Sequence, residues 1–152
     1  MKDKVMFRRR GGTCGGAVPA EHGRWGEEMA AWWLWRNGYT IAERNARPCL
    51  GDSRLEIDII AHDKRRDILV FVEVKQHAAR SPYQSRLRSV DVRKKRLLLR
   101  ACRSWLRKNR WRGSYRFDVI EVYGTPEEGR AEIDHIERVR LFEGDESFVN
   151  WY

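Results

Sequence analysis

Residues 55–75 read LEIDIIAHDKRRDILVFVEVK, and their pattern is the most informative about the fold. Its first part, Leu55 to Ala61, alternates in the manner of a strand, and its last part, Ile68 to Lys75, is apolar on most of both faces. A strand of the second kind lies in the middle of a sheet that helices cover on each side. The polar segment between the two strands is short enough to be a hairpin loop. The stretch therefore predicts an antiparallel strand pair inside a helix-covered sheet.

Patterns on either side of this hairpin complete the fold prediction. Trp25, Met29, Trp32 and Trp33 recur on one face of a helix, and Asn37-Gly38 is a typical helix end. The order of elements predicts an α/β protein with a mixed sheet flanked by helices. Besides the hairpin, the predicted elements are helices over 21–37 and 90–110 and strands over 39–45, 116–123 and 133–139.

Domain organisation follows from length and from the glycine-rich beginning. The chain has 152 residues, which is about the size of one domain. We predict that this domain covers residues 21–143. Residues 1–20 contain three consecutive arginines and four glycines without periodicity, and they are expected to form a flexible basic arm. Residues 144–152 are expected to be a C-terminal tail.

Composition excludes several classes of protein. Hydrophobic residues make up 41% of the chain, which argues against intrinsic disorder. No run approaches the roughly 20 apolar residues of a membrane span, and the beginning lacks the apolar segment of a secretory signal. The three cysteines are widely separated and odd in number, which fits neither a disulfide framework nor paired metal ligands. We therefore expect a cytoplasmic protein with no membrane partner.

Positive charge is concentrated in one segment. The chain has 31 basic and 22 acidic residues, a net charge of +9, and residues 80–112 hold thirteen of the basic residues against Asp91 alone. A basic strip of this kind binds polyanions, because neutralised phosphates release counterions. The alternative is an ordinary solvated helix face. The imbalance favours a nucleic acid as partner, with DNA the first candidate.

Two carboxylates are expected to meet on the central hairpin. A symmetric hairpin centred on Arg65-Arg66 places Asp58 opposite Glu73, with Cβ atoms about 5 Å apart, and Lys75 points to the same face as Glu73. Hard cations such as Mg²⁺ or Mn²⁺ bind carboxylate oxygens and can activate water for phosphodiester hydrolysis. On the pattern alone, charged strand ends that pair with neighbouring side chains are an equal alternative.

Six short motifs, in order, resemble those of the small bacterial YraN-like family over about residues 21–142. In addition, Asp58 with Glu73-Val74-Lys75 resembles the PD-(D/E)xK signature of restriction-endonuclease-like nucleases, and the family is similar to archaeal Holliday-junction resolvases. The motifs are Gly23-Arg24-Trp25-Gly26-Glu27, Gly38-Tyr39, Arg44-Asn45, Glu56-Ile57-Asp58-Ile59-Ile60, Val70-Phe71-Val72-Glu73-Val74-Lys75 and Arg116-Phe117-Asp118-Val119.

The resemblance implies a restriction-endonuclease-like core and roles for four residues. Asp58 and Glu73 would be ligands of Mg²⁺ or Mn²⁺, Lys75 the catalytic lysine, and Glu27 an additional acid from the first helix. It also implies a homodimer. The chain departs from the usual motifs at Leu55, where most members have glycine, and at Ile57, where the superfamily signature has proline.

The resemblance also extends to the basic helix. Lys94 matches a family lysine and is expected to contact phosphate. The remaining candidates for nucleic-acid binding are Arg88, Arg93, Lys95, Arg96 and Arg100.

These observations lead to one leading hypothesis and two alternatives. The leading hypothesis is a metal-dependent endonuclease that acts on branched, damaged or single-stranded nucleic acid. The first alternative is a module of the same fold that binds nucleic acid without cutting it, so whether the protein is an enzyme stays open. The second is a scaffold that binds another protein through its acidic remainder. Likeness of fold raises the expectation of nuclease activity without establishing it.

Overall fold

The computed structural model describes residues 3–6, 18–80 and 92–141 of the chain. Within these ranges the backbone forms two helices and a six-stranded sheet. Neither helix is long and apolar enough to cross a membrane. In chain order the elements are β1 (Asp3–Met6), α1 (Val18–Arg36), β2 (Tyr39–Ala46), β3 (Ile57–Asp63), β4 (Ile68–His77), α2 (Val92–Lys108), β5 (Tyr115–Tyr123) and β6 (Arg130–Ile136).

The sheet has the strand order β1-β6-β5-β4-β3-β2, so β4 lies inside it. Only the β4–β5 pair is parallel among these strands, and α2 lies in the connection between them. Val70 and Val72 of β4 pack in the cluster that includes α1, whereas Leu69 and Phe71 pack in the cluster that includes α2. Side chains of a strand alternate between faces, so the two helices cover opposite sides of the sheet. This confirms the predicted α/β fold and the central strand.

The register of the β3–β4 hairpin is the predicted one. The paired residues of the two strands run from Asp63 opposite Ile68 to Ile59 opposite Val72. One further step along the same register sets Asp58 opposite Glu73. The Asp63 carboxylate accepts hydrogen bonds from the backbone N–H groups of the two residues at the centre of the turn. Those bonds stabilise a hairpin loop without glycine.

Several predicted boundaries differ from the structure. Helix α1 begins at Val18 instead of residue 21, since Pro19 suits a first helical turn, and it ends before Gly38, whose φ of +87° suits glycine. Residues 3–6 of the predicted flexible arm form an edge strand paired with β6. The last strand begins at Arg130, directly after the turn at Gly129, instead of at residue 133. The predicted tail, 144–152, lies outside the described residues.

Candidate active site

The carboxylates of Asp58 and Glu73 lie at the end of the β3–β4 pair, on the face that α2 covers. Glu73 is 3% exposed and Asp58 is partly buried. The backbone ladder reaches Ile59 and Val72, and beyond it the Asp58 Oδ2 atom accepts a hydrogen bond of 2.7 Å from the backbone N–H of Val74. This bond orients the Asp58 carboxylate toward β4. The structure thus brings the two predicted metal ligands together.

The electrostatics of the pair reflect this proximity. Burial, followed by the negative charge of Glu73, raises the pKa of Asp58 to about 7, against smaller lowering effects from the Val74 N–H group and Lys94. A lone exposed aspartate ionises near pH 3.8. Burial disfavours the charged form of a carboxyl group, and a neighbouring carboxylate adds to that effect. The pair therefore favours a proton or a cation at this point.

Lys75 lies on the same face, next to Glu121, a buried acid that was not predicted from the sequence. The β4–β5 register places Glu121 directly beside Lys75, and Glu121 is 2% exposed. Burial lowers the pKa of the Lys75 ammonium, and the charges of Glu73 and Glu121 act in the opposite direction. The signal in the sequence was a glutamate alternating with Phe117 and Val119 on the core face of a strand. Its importance depends on the parallel register, which the sequence does not show.

Polar contacts continue across β5 and β6. The Tyr123 hydroxyl donates to Glu121 Oε2 at 2.7 Å, and His77 stacks on the Tyr123 ring with its Nε2 atom 3.8 Å from Glu121 Oε1. Arg80 lies over the same ring and forms two hydrogen bonds, of 2.7 and 2.8 Å, with Asp134. Charged and aromatic groups thus extend the site along the end of the sheet.

Lys94 joins the basic helix to the carboxylate pair. Its Nζ atom donates to Glu73 Oε1, although the lysine side chain is 51% exposed. The predicted phosphate-contacting lysine therefore lies on a candidate metal ligand, where its ammonium offsets part of the negative charge. The first turn of α2 is held against the site by this contact.

Glu27 takes part less directly. Its Oε2 atom accepts a hydrogen bond of 3.0 Å from Asn45 Nδ2 and lies 4.0 Å from the guanidinium group of Arg44. Burial raises the pKa of Glu27, and its charge in turn contributes to raising the pKa of Asp58. The predicted helical acid thus lies near the pair and within its electrostatic reach, with β2 side chains as its hydrogen-bonding partners.

The other predicted nucleic-acid-binding residues fall into three groups. Arg93, Arg96 and Arg100 are exposed on α2. Lys95 is partly buried, and burial together with the charge of Arg140 lowers its pKa. Arg88 lies outside the described residues.

Arg116 and Asp118, which belong to the last motif, lie away from this site. Arg116 Nε donates to Asp118 Oδ1 at 3.0 Å, and its Nη1 atom donates to Asp63 Oδ2 at 3.2 Å. His135 Nε2 lies 2.7 Å from Asp118 Oδ2. This buried network packs on the α1 face at the opposite end of the sheet, as the alternation along β5 requires. Its role is to pair charges within the core.

The donor set at the pair suits a hard divalent cation. Among the described residues, no group of three or more His, Cys, Asp or Glu side chains is placed to hold a metal ion. Mg²⁺ usually takes one or two carboxylates and completes its shell with water and phosphate oxygens. Asp58 and Glu73 meet that requirement, since their carboxylates lie side by side at the end of the hairpin.

Fold and site define an α/β protein with a carboxylate pair and a lysine at the end of a central hairpin. The chain belongs to the uncharacterised protein family UPF0102, whose model matches residues 26–122, and this confirms the YraN-like assignment. A UPF0102 protein of Syntrophotalea carbinolica is 41% identical over 114 residues, covering 74% of this chain and 85% of that relative. A UPF0102 protein of Thermotoga maritima is 38% identical over 115 residues, covering 76% and 93%.

Proposed function

We propose that this protein is a metal-dependent endonuclease that hydrolyses phosphodiesters in branched, damaged or single-stranded nucleic acid, DNA first. The observation that carries the proposal is the Lys94–Glu73 contact, because it joins the most basic element of the described chain to the buried carboxylate pair. A nucleic-acid backbone lying along α2 would thereby reach a pair of carboxylates suited to a divalent cation. The resemblance to PD-(D/E)xK nucleases supports the same activity.

The roles of the residues follow from their positions. Asp58 and Glu73 would hold Mg²⁺ or Mn²⁺, and a bound ion would activate water and neutralise charge on the phosphodiester. Lys75, between Glu73 and Glu121, would present its ammonium to the charge that develops on phosphate oxygens. Glu27 would act as a positioning residue that affects Asp58 through its charge. Lys94 would exchange Glu73 for a backbone phosphate when nucleic acid binds.

Metal binding is the direct test. Mn²⁺ is titrated calorimetrically into the wild-type protein, into Asp58→Ala, and into Glu128→Gln, a control that removes an exposed carboxylate from the β5–β6 turn. We expect binding to the wild type and the control and none to Asp58→Ala. Branched, single-stranded and duplex DNA are then incubated with each protein in Mg²⁺ or Mn²⁺. Absence of both metal binding and cleavage with the wild type would refute the proposal.

A module that binds nucleic acid without cutting it is the second candidate. It is favoured by the Lys94 ammonium, which already offsets the Glu73 charge without any metal. This alternative predicts an affinity that falls steeply with salt, is the same in Asp58→Ala and Glu73→Ala, and is never accompanied by cut strands. The homodimer implied by the resemblance belongs to either candidate, and sedimentation of the wild-type protein tests it.

A further inference from the structure

A second basic feature lies on α2, away from the carboxylate pair. A groove of about 490 Å³ runs between the helix and the segment that joins β2 to β3. The Cys49 thiol donates to the Ser104 hydroxyl at 2.9 Å, so this segment is tied to the helix across the groove. The groove is lined by Cys49, Arg100, Arg103, Ser104, Leu106 and Arg107.

The three arginines of the groove lie on one line. Arg100, Arg103 and Arg107 are spaced three and four residues apart, which places them on one face of the helix, and all three are exposed. In the described part of the chain none of them forms an ion pair. Asp52, the acid closest in sequence to the groove, is bound to Arg54 at 2.9 Å and interacts with Arg100 only through its charge. The groove therefore keeps most of its positive charge for a ligand.

The line of arginines continues toward the candidate active site. Arg93 and Arg96 precede Arg100 at the same helical spacing. Lys94, next to Arg93 in the first turn of α2, contacts Glu73. From Lys94 to Arg107 the helix rises about 20 Å. Phosphates recur at regular intervals along a nucleic-acid strand, so an extended strand lying along this length would present several of them to the helix.

We propose that the arginine groove is a phosphate-binding subsite for a nucleic-acid strand whose continuation along the helix reaches Glu73. Guanidinium groups held at fixed intervals by a helix match a ligand whose charges also recur at fixed intervals, and each can bind a phosphate through two parallel hydrogen bonds. The statement that the same strand reaches Glu73 rests on the proposed function. Binding in the groove itself requires neither metal nor cleavage.

Cys49 provides a readout of the groove that does not depend on activity. It lines the groove as a free, partly buried thiol, whereas Cys102 is fully buried. In a Cys14→Ser background, the reaction of Cys49 with a thiol reagent is followed in EDTA with and without single-stranded DNA of 4, 8 or 12 nucleotides. We expect the two longer strands to slow the reaction severalfold and the shortest to do so weakly. An unchanged rate at saturating 12-nucleotide DNA overturns the proposal.

Affinity provides the second readout, measured by fluorescence anisotropy of the same strands in EDTA. We expect Arg103→Gln/Arg107→Gln to weaken binding about tenfold or more at 0.1 M salt and to make the salt dependence of log K shallower by about 1.4, because a single strand loses about 0.7 per phosphate contact. Arg130→Gln, which removes an exposed charge on β6 toward the other edge of the sheet, is the control and should bind nearly as well as the wild type. Equal affinity of the groove variant and the wild type overturns the proposal.

The two proposals fail separately. If the groove variant loses affinity while the wild type never cuts DNA or binds Mn²⁺, the subsite stands and the nuclease proposal fails. If DNA is cut but the groove variant binds it normally, the nuclease stands and the subsite is wrong. Protection of Cys49 by a polyglutamate peptide and not by DNA would also overturn the subsite, and would assign the groove to acidic protein segments instead.

Discussion

Replacing Asp58 by asparagine is expected to stabilise the metal-free protein above pH 7. The Asp58 carboxyl ionises at about pH 7 in the folded protein and at about 3.8 in an unfolded chain, because burial and Glu73 disfavour its charge. The stability that the protonated Asp58 carboxyl group contributes is therefore fully present below about pH 4 and is lost as the pH rises through 7. Above pH 7 the loss stays constant. Asparagine carries no charge, and its Oδ1 atom can still accept the hydrogen bond from Val74.

The size of the effect follows from the shift in pKa. A change from 3.8 to about 7 corresponds to about 4 kcal/mol at most. With that value as the upper limit, we expect the free energy of unfolding of Asp58→Asn to exceed that of the wild type by about 2–4 kcal/mol at pH 8, and this difference to be about 2 kcal/mol smaller at pH 5. Active sites often show this gain, because charges placed for function repel one another in the free protein.

Urea unfolding followed by tryptophan fluorescence, in EDTA between pH 5 and 9, measures this difference. Glu128→Gln is the control for removing one carboxylate from an exposed turn, and it should unfold like the wild type across the range. The reasoning is refuted if Asp58→Asn is no more stable than the wild type at pH 8. It is also refuted if the two free energies of unfolding change equally with pH.

Three further predictions concern packing and burial. Arg116→Met should lower the free energy of unfolding by about 3–5 kcal/mol, because it removes the guanidinium group that pairs with the buried carboxylates of Asp63 and Asp118. Arg112→Met at an exposed position should change it by less than about 0.5 kcal/mol, and equal effects in urea unfolding would argue against the network. Gly26→Ala should lower the free energy of unfolding by about 1–3 kcal/mol, because the new Cβ atom would lie 2.8 Å from the Cβ atom of Gln76 on β4. Gly23→Ala in the same helix has nothing within 4 Å of the new Cβ atom and should raise the free energy of unfolding by up to about 1 kcal/mol. Thermal unfolding of the two variants compares them, and the reverse order would contradict the packing of α1 on β4. Burial raises the pKa of the Cys102 thiol, so it should react with a thiol reagent only in urea, and rapid reaction of this thiol in native buffer would be inconsistent with its burial.

The sequence alone determined the features that depend on neighbouring stretches of chain. The apolar pattern of residues 68–75 located the central strand, and the structure has β4 inside the sheet. The hairpin midpoint placed Asp58 opposite Glu73, and the structure has that register. A hairpin register is predictable because a short loop and the alternation of one strand leave few ways to pair the other.

The surroundings of the carboxylate pair could not be predicted from the sequence, because they depend on how distant elements pack. The contact of Lys94 with Glu73 and the position of Glu121 beside Lys75 both depend on α2 and on the parallel pairing of β4 with β5. No short loop sets the register of parallel strands, because a helix lies between them along the chain and the register follows from how that helix packs on the sheet. Burial likewise depends on the folded chain. An exposed aspartate has an ordinary pKa, and the pKa of Asp58 is raised because folding removes water from its carboxyl group and then because it places Glu73 beside it.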